Sequence, residues 1–275
     1  MPDWTSLVLE DTWPDQLHPL SRPRNIWTLV RRVFSRRQPV ELPEQLSGLV
    51  SIPKYILQEF HNLPNGNYSN RLSHGYITGF DIAMLGEVES SRQWIAERVQ
   101  QADTVLDIGT AGGKTAAAVS GRGVKEVWGM DPSPYLLKHA ARTYPAVRFV
   151  PGIGEDIPFG EARFDAITLC FVLHEVPPRY GQQVLAECYR CLKPGGLLAI
   201  AEPSSRQLQR PSWRSLLTTM GWKHLYFYWL AHYVYEPFVH AWHRVDKVQW
   251  LADGGFELLE SDYGMPIGHW LARKV

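Results

Sequence analysis

The residues best placed to do chemistry lie in one loop, Val105-Leu106-Asp107-Ile108-Gly109-Thr110-Ala111-Gly112-Gly113-Lys114. A short apolar run feeds a glycine loop and then an alanine-rich helix, which brings backbone N–H groups at a helix N-terminus close to a ligand. A dinucleotide fingerprint needs G-x-G-x-x-G. Counted from Gly109 that spacing fails, because Ala111 and Lys114 occupy the second and third glycine positions. Counted from the acid, Asp107-x-Gly109-x-Ala111-x-Gly113 fits D-x-G-x-G-x-G with one Gly→Ala change. A second acid closes Val127-Trp128-Gly129-Met130-Asp131, where a carboxylate can grip a ribose diol through two hydrogen bonds. Open α/β sheets bind ligands beyond their strand ends. His174 and Glu175, in Leu173-His174-Glu175-Val176-Pro177, fall just past a fourth strand and can hold or move a proton.

The surrounding pattern supplies elements able to position these groups. Runs at 104–108, 124–130, 147–150, 166–170 and 197–201 read as strands, and 114–120, 133–143 and 180–192 read as helices between them. Strands alternating with helices mean a parallel sheet covered on both faces, and unbroken apolar runs fit strands buried on both sides. The tail offers two more strands, 256–261 and 267–272, whose short connection suggests an antiparallel pair at one edge. Helical segments punctuated by the turn-rich Leu63-Pro64-Asn65-Gly66-Asn67 occupy 52–101, and the first 47 residues are rich in proline and arginine.

Composition narrows the function classes. The 275 residues are 45% hydrophobic and 20% charged, enough to bury a core and to exclude global disorder. With 28 basic and 28 acidic side chains, the chain has no general electrostatic reason to seek nucleic acid. Three cysteines cannot build a disulfide framework, which points to a reduced, cytoplasmic setting. The start MPDWTSLVLEDTW lacks the basic and apolar runs of a signal peptide, and no stretch is apolar enough to span a bilayer. The neutrality hides an asymmetry: six arginines (Arg22, Arg24, Arg31, Arg32, Arg36, Arg37) and no acid fall between Ser21 and Arg37. Ile26, Trp27, Leu29, Val30, Val33 and Phe34 recur among them at near-helical spacing. Such a helix either lies on an anionic membrane surface or packs on the acidic remainder of the chain.

No metal centre is expected from the sequence. Cys188-Tyr189-Arg190-Cys191 falls late in a helix with no second pair, His174-Glu175 is not H-E-x-x-H, and His240-Ala241-Trp242-His243 lacks acidic partners nearby.

The stretch from about 101 to 202 resembles the class I S-adenosylmethionine-dependent methyltransferases, in particular the small-molecule branch that includes the ubiquinone and menaquinone methyltransferases. The resemblance rests on five segments in order: LDIGTAGG, GMDPSP, EDIPF, FDAITLCFVLHEV and LKPGGLLAIAEP. It implies a doubly wound, Rossmann-like, seven-stranded α/β sheet with an antiparallel edge strand, an N-terminal helical extension and a helical lid inserted after the fifth strand. It implies S-adenosyl-L-methionine as cofactor, with Gly109, Thr110, Ala111 and Gly113 along the methionine part, Asp107 near its amino group and Asp131 on the ribose hydroxyls. Pro132 follows as the family pattern requires, and Cys170 closes the fourth strand beside the cofactor. Where the family often carries an aspartate that accepts from the adenine amino group, this chain has Ile153, so backbone amides of Ile153 or Gly154, or the acids Glu155 and Asp156, would read adenine.

For catalysis the resemblance offers two groups. A histidine at the position of His174 is common as a cofactor-pocket residue in the family, and Glu175 stands beside it. In the quinone branch a segment comparable to Asn67–Tyr76 covers the donor, which adds Tyr68, His74 and Tyr76. The aromatic residues after the fifth strand, among them Trp213, Trp222, Tyr226, Trp229, Tyr233 and Phe238, fall where the family inserts its substrate lid and suit a flat or lipophilic acceptor. The implied organisation is an extension over 1–50, then a methyltransferase domain over 51–275. That domain divides into N-terminal helices (51–101), cofactor core (102–202), aromatic-rich lid (203–255) and terminal strands (256–275). The expected reaction is direct methyl transfer to a small aromatic or lipophilic acceptor. Two alternatives stand beside it: a non-catalytic donor-binding protein and an RNA methyltransferase. A DNA amino-methyltransferase is disfavoured, because Phe171-Val172-Leu173-His174-Glu175 replaces its N/D-P-P-Y/F motif.

Overall fold

The computed structural model describes residues 3–17, 22–33, 38–42 and 52–275. In chain order the elements are α1 (Trp13–Gln16), α2 (Pro23–Val33), α3 (Asn70–Ala83), α4 (Glu87–Val99), β1 (Thr104–Ile108), α5 (Lys114–Ser120), β2 (Glu126–Asp131), α6 (Pro134–Thr143) and β3 (Arg148–Pro151). There follow β4 (Phe164–Cys170), α7 (Pro178–Cys191), β5 (Leu192–Pro203), α8 (Thr219–Tyr233), α9 (Val239–Arg244), α10 (Lys247–Asp253), β6 (Phe256–Asp262) and β7 (Ile267–Lys274).

Alternation along each strand builds two cores from one sheet. Leu106 and Ile108 of β1 face a cluster with Met130, Ile167, Leu185 and Trp250. Val105, one residue away, faces the opposite cluster with Ile95, Val119, Leu137 and Ala199. The sheet order is β3-β2-β1-β4-β5-β7-β6. Strands β1 to β5 pair in parallel, and β7 runs antiparallel between β5 and β6. The expected antiparallel pair is therefore present, with the reversed strand one place in from the edge. Because β2 and β4 lie on opposite sides of β1, the chain leaves β1 and β4 in opposite directions, and a crevice opens at their C-terminal ends.

The segment before the sheet is tied to it. The Trp4 indole donates to the Phe149 carbonyl at 2.9 Å, Tyr135 donates to the Glu10 carbonyl at 2.7 Å, and Trp4 and Leu9 are buried. Asp15, also buried, accepts from Ser69 Oγ at 2.7 Å and from the amides of Asn70 and Arg71, both at 3.0 Å, at the start of α3. A carboxylate at a helix N-terminus satisfies amides that have no partner inside the helix. The arginine-rich pattern at 21–37 is helical over Pro23–Val33, with Trp27 67% exposed; Ser21 and Phe34, Ser35, Arg36 and Arg37 lie outside the described residues. Among the described residues no helix is long and apolar enough to cross a membrane.

Candidate active site

At the C-terminal ends of β1, β2 and β4 lies a cleft that opens to solvent, the place where open α/β sheets bind small molecules. Ile108 and Gly109 form its floor, Asp131 and Pro132 one wall, Ile153 and Gly154 another, and Phe171 and Val172 a third. Tyr55, Phe60, Tyr68 and Tyr76 close it from the segment before the sheet.

The glycine loop is shaped for close approach. Gly109 has φ +64°, and a Cβ there would stand 2.5 Å from Val172 Cγ2. Gly113, at φ +81°, caps the start of α5 and packs against Phe149 and Ala140. Between them Ala111 keeps φ +46° despite its methyl group, and its amide donates to Asp131 Oδ2 at 2.9 Å. The other Asp131 oxygen accepts from the Ser133 amide at 2.8 Å. Each oxygen keeps a second lone pair, and Asp131 lines the cavity, so the carboxylate can still accept from a vicinal diol. Burial pushes the Asp131 carboxyl up to about 6 against the lowering by those two amides.

Asp107 does not line this cavity. It lies beneath the loop, accepting from the hydroxyls of Thr110 and Thr168, both at 2.7 Å, and burial pushes it up to about 6. Thr110 and Cys170 line a second cavity, which shares Tyr76, Gly109, Ala111 and Phe171 with the first. Arg92 borders it, paired with Asp81 at 2.7 Å, and the Cys170 thiol is pushed up to about 12 by burial. At the far end Ile153 and Gly154 line the first cavity, Glu155 is held by the Tyr55 hydroxyl, and Asp156 faces solvent.

The sequence-derived acid–base candidates separate. Glu175 and Tyr76 line the cavity. His174 does not: it is wholly buried behind the wall, with Nδ1 donating to Glu202 Oε2 at 2.6 Å. Burial alone would lower its pKa, but the Glu202 carboxylate outweighs this and raises it to about 9. Glu202 also accepts from the amides of Val172 at 2.7 Å and Leu173 at 2.6 Å, so it fixes the turn after β4 as well as the ring. Burial raises Glu175 to about 8 and lifts Tyr76 well above the usual phenol range. His74 is exposed and packs on His139, with ring centroids 5.1 Å apart. Two positions from Tyr76 on α3, it points away from the cavity, because successive helical residues turn by about 100°.

His61, Glu202, Glu236, Tyr55 and Arg92 were not singled out from the sequence. Glu202 is the next-to-last residue of LKPGGLLAIAEP, so a buried acid near a strand end is a signal the sequence carries. His61 and Glu236 sit in turns and carry no periodic signal. The lid aromatics do not wall the cavity: Trp213, Trp222, Trp229 and Tyr233 are exposed, while Phe227 and Trp242 are buried in the protein's own core. The aromatic rings that do line it come from the other side of the chain, at positions 55, 60, 68, 76 and 171.

Comparison with known proteins agrees with this geometry. A family profile described as a methyltransferase domain matches residues 106–200. The chain is 36% identical over 121 residues to an uncharacterized methyltransferase of Synechocystis sp., covering 42% of this chain and 54% of that protein. It is 32% identical over 187 residues to a demethylmenaquinone methyltransferase of Paenarthrobacter aurescens, covering 64% of this chain and 72% of the relative. Among further demethylmenaquinone methyltransferases, the match to that of Renibacterium salmoninarum covers 51% of its length, so the chain spans about half the length of such curated relatives. A solved TehB-like S-adenosylmethionine-dependent methyltransferase of Corynebacterium glutamicum shares the fold, with a TM-score of 0.52 at 18% identity over 74% of this chain and 98% of that one.

Proposed function

Because the chain belongs to the class I S-adenosylmethionine-dependent methyltransferases, we propose that it moves a methyl group to a carbon or phenol oxygen of a small, aromatic or lipophilic acceptor. The observation that carries the acceptor reading is continuity. The cavity that holds Gly109 and Asp131 runs on to Phe171, Tyr76 and the carboxyl of Glu175.

When bound, S-adenosylmethionine would supply an activated methyl group on a sulfonium. The rest falls to the chain. Asp131, oriented by the amides of Ala111 and Ser133, would accept from the two ribose hydroxyls, and the loop from Gly109 to Gly113 would hold the methionine part, with Arg92 bordering the adjoining cavity. Ile153, Gly154 and Leu136 form the apolar slot for the adenine ring. The rings of Tyr55, Tyr68, Tyr76 and Phe171 exclude water and hold the acceptor in line with the methyl carbon. Glu175, on the cavity wall, would take the proton that the acceptor gives up once it is ionised, which its pKa of about 8 places at mildly alkaline pH. His174 acts one layer back, as a positioning residue that Glu202 holds in place.

The test has two stages. Calorimetric titration with S-adenosylhomocysteine should show binding that Asp131→Ala weakens by about 1–3 kcal/mol. A labelled-methyl assay should then show transfer to quinols or phenols; quinols stand first on the panel because a relative is named for demethylmenaquinone. Transfer to RNA instead would replace the acceptor class. Binding with no transfer to any acceptor would favour a donor-binding partner protein.

A further inference from the structure

Behind the cavity wall three side chains from distant parts of the chain converge. His61 comes from the turn before α3, His174 from the turn after β4 and Glu236 from the loop after α8. One ring nitrogen of each histidine and one Glu236 oxygen all lie within 4.8 Å of one another. Glu236 Oε1 is 3.7 Å from His61 Nε2 and 3.9 Å from His174 Nε2. These separations are too long for hydrogen bonds. They are close to the spacing of about 3.4 Å between donors that share one tetrahedral ion at roughly 2.1 Å.

The ring of His174 makes the case specific. Its side chain is 0% exposed, and Nε2 has no hydrogen-bond partner among the described residues. A buried polar nitrogen without a partner is costly, so its persistence calls for an occupant. The opposite nitrogen donates to Glu202, a carboxylate already fixed by two backbone amides. That is the arrangement by which proteins orient a metal-binding imidazole from behind. His61 is held as deliberately. Its backbone takes φ +55°, its amide donates to the Tyr235 carbonyl at 3.1 Å, and its ring stacks on Tyr76 with centroids 5.3 Å apart. Its Nε2 also lies 3.2 Å from Glu175 Oε1, which borders the cavity.

We propose that His61, His174 and Glu236 bind one divalent transition-metal cation of the zinc class. Two imidazoles and a carboxylate favour such an ion over magnesium or calcium, and three protein ligands leave a position for water or another oxygen. The metal site stands on its own geometry. Its use, to hold an acceptor oxygen next to Glu175, rests on the acceptor reading above.

The experiment uses the untagged full chain, stripped with a chelator and titrated with zinc by calorimetry, with metal content measured by mass spectrometry after dialysis. One zinc per chain is expected. His61→Ala and Glu236→Gln should each weaken binding at least about tenfold, and Glu202→Gln by about 10- to 100-fold. Cobalt loading should give the visible absorption of a tetrahedral nitrogen–oxygen site in the parent and lose it in His61→Ala. S-adenosylhomocysteine affinity, unchanged in both ligand variants, shows that they are folded; if His61→Ala does not fold, Glu236→Gln decides alone. No saturable site, or parent affinity in the folded variants, overturns the proposal. Zinc binding with no transfer to phenols or quinols would keep the metal site and remove the acceptor reading.

Discussion

At the scale of single residues, Asp131 shows how burial sets a working range. Its carboxyl is pushed up to about 6 in the free protein by burial. Ribose hydroxyls donate to the ionised form, so binding selects the carboxylate. As pH falls through about 6 the protonated fraction grows, and affinity for S-adenosylhomocysteine should drop by up to about tenfold per pH unit. Calorimetry from about pH 5 to 8 should show that slope in the parent and lose it in Asp131→Asn. Ala111 offers a second check. An L-residue at φ +46° carries a strain of about 1 kcal/mol that glycine would not. Ala111→Gly should therefore stabilise the fold by about that amount, raising Tm by roughly 2–4 °C in a thermal melt. Both positions were legible in the sequence, because a strand-end acid and a glycine spacing are address labels. The direction a side chain faces was not. Asp107 fits its pattern, yet two threonine hydroxyls hold it under the loop, and Thr168 lies 61 residues away. His74 and Tyr76 share a segment, and only the helical turn between them decides which meets the cavity.

At the scale of elements, α3 and the turns before it form the cover over the cavity, and Asp15 is what anchors them. Its carboxylate accepts from Thr12, Ser69, Asn70 and Arg71, joining α1 to the first turn of α3. Asp15→Ala leaves those buried donors without an acceptor and should cost about 2 kcal/mol in chemical denaturation. Because Asn67, Tyr68 and Tyr76 flank that junction and line the cavity, cofactor affinity should fall with it. An Asp15→Ala protein with parent stability and parent affinity would show that the cover is held elsewhere. The strands and helices of the sheet were readable to within one to three residues at most ends, since each has its own apolar period. The anchor was not, because Asp15 and Ser69 are 54 positions apart and no local pattern joins them. The lid misled for a related reason. Aromatic composition is the same whether rings face a ligand, a core or water, and here several turn outward.

At the scale of the whole molecule, charge and chain order matter most. Helix α2 presents Trp27 to solvent among exposed Arg24 and Arg31, a face that suits an anionic lipid surface. If this helix is a membrane contact rather than one packed on the acidic remainder of the chain, neutralising Arg31, Arg32, Arg36 and Arg37 should abolish salt-sensitive pelleting with anionic liposomes; absence of pelleting in the parent would dismiss the contact. The position of β7 has a consequence of another kind. It is synthesised after both β5 and β6, yet it lies between them and pairs with both. On the ribosome, β5 must therefore wait with an open hydrogen-bonding edge until residues 267–274 emerge, while its neighbours are already complete. That edge is an apolar run, Leu197, Leu198, Ala199, Ile200 and Ala201, of the sort that recruits other chains. A nascent chain stalled before residue 267 would thus carry every residue of the cofactor cavity and still be a seed for aggregation.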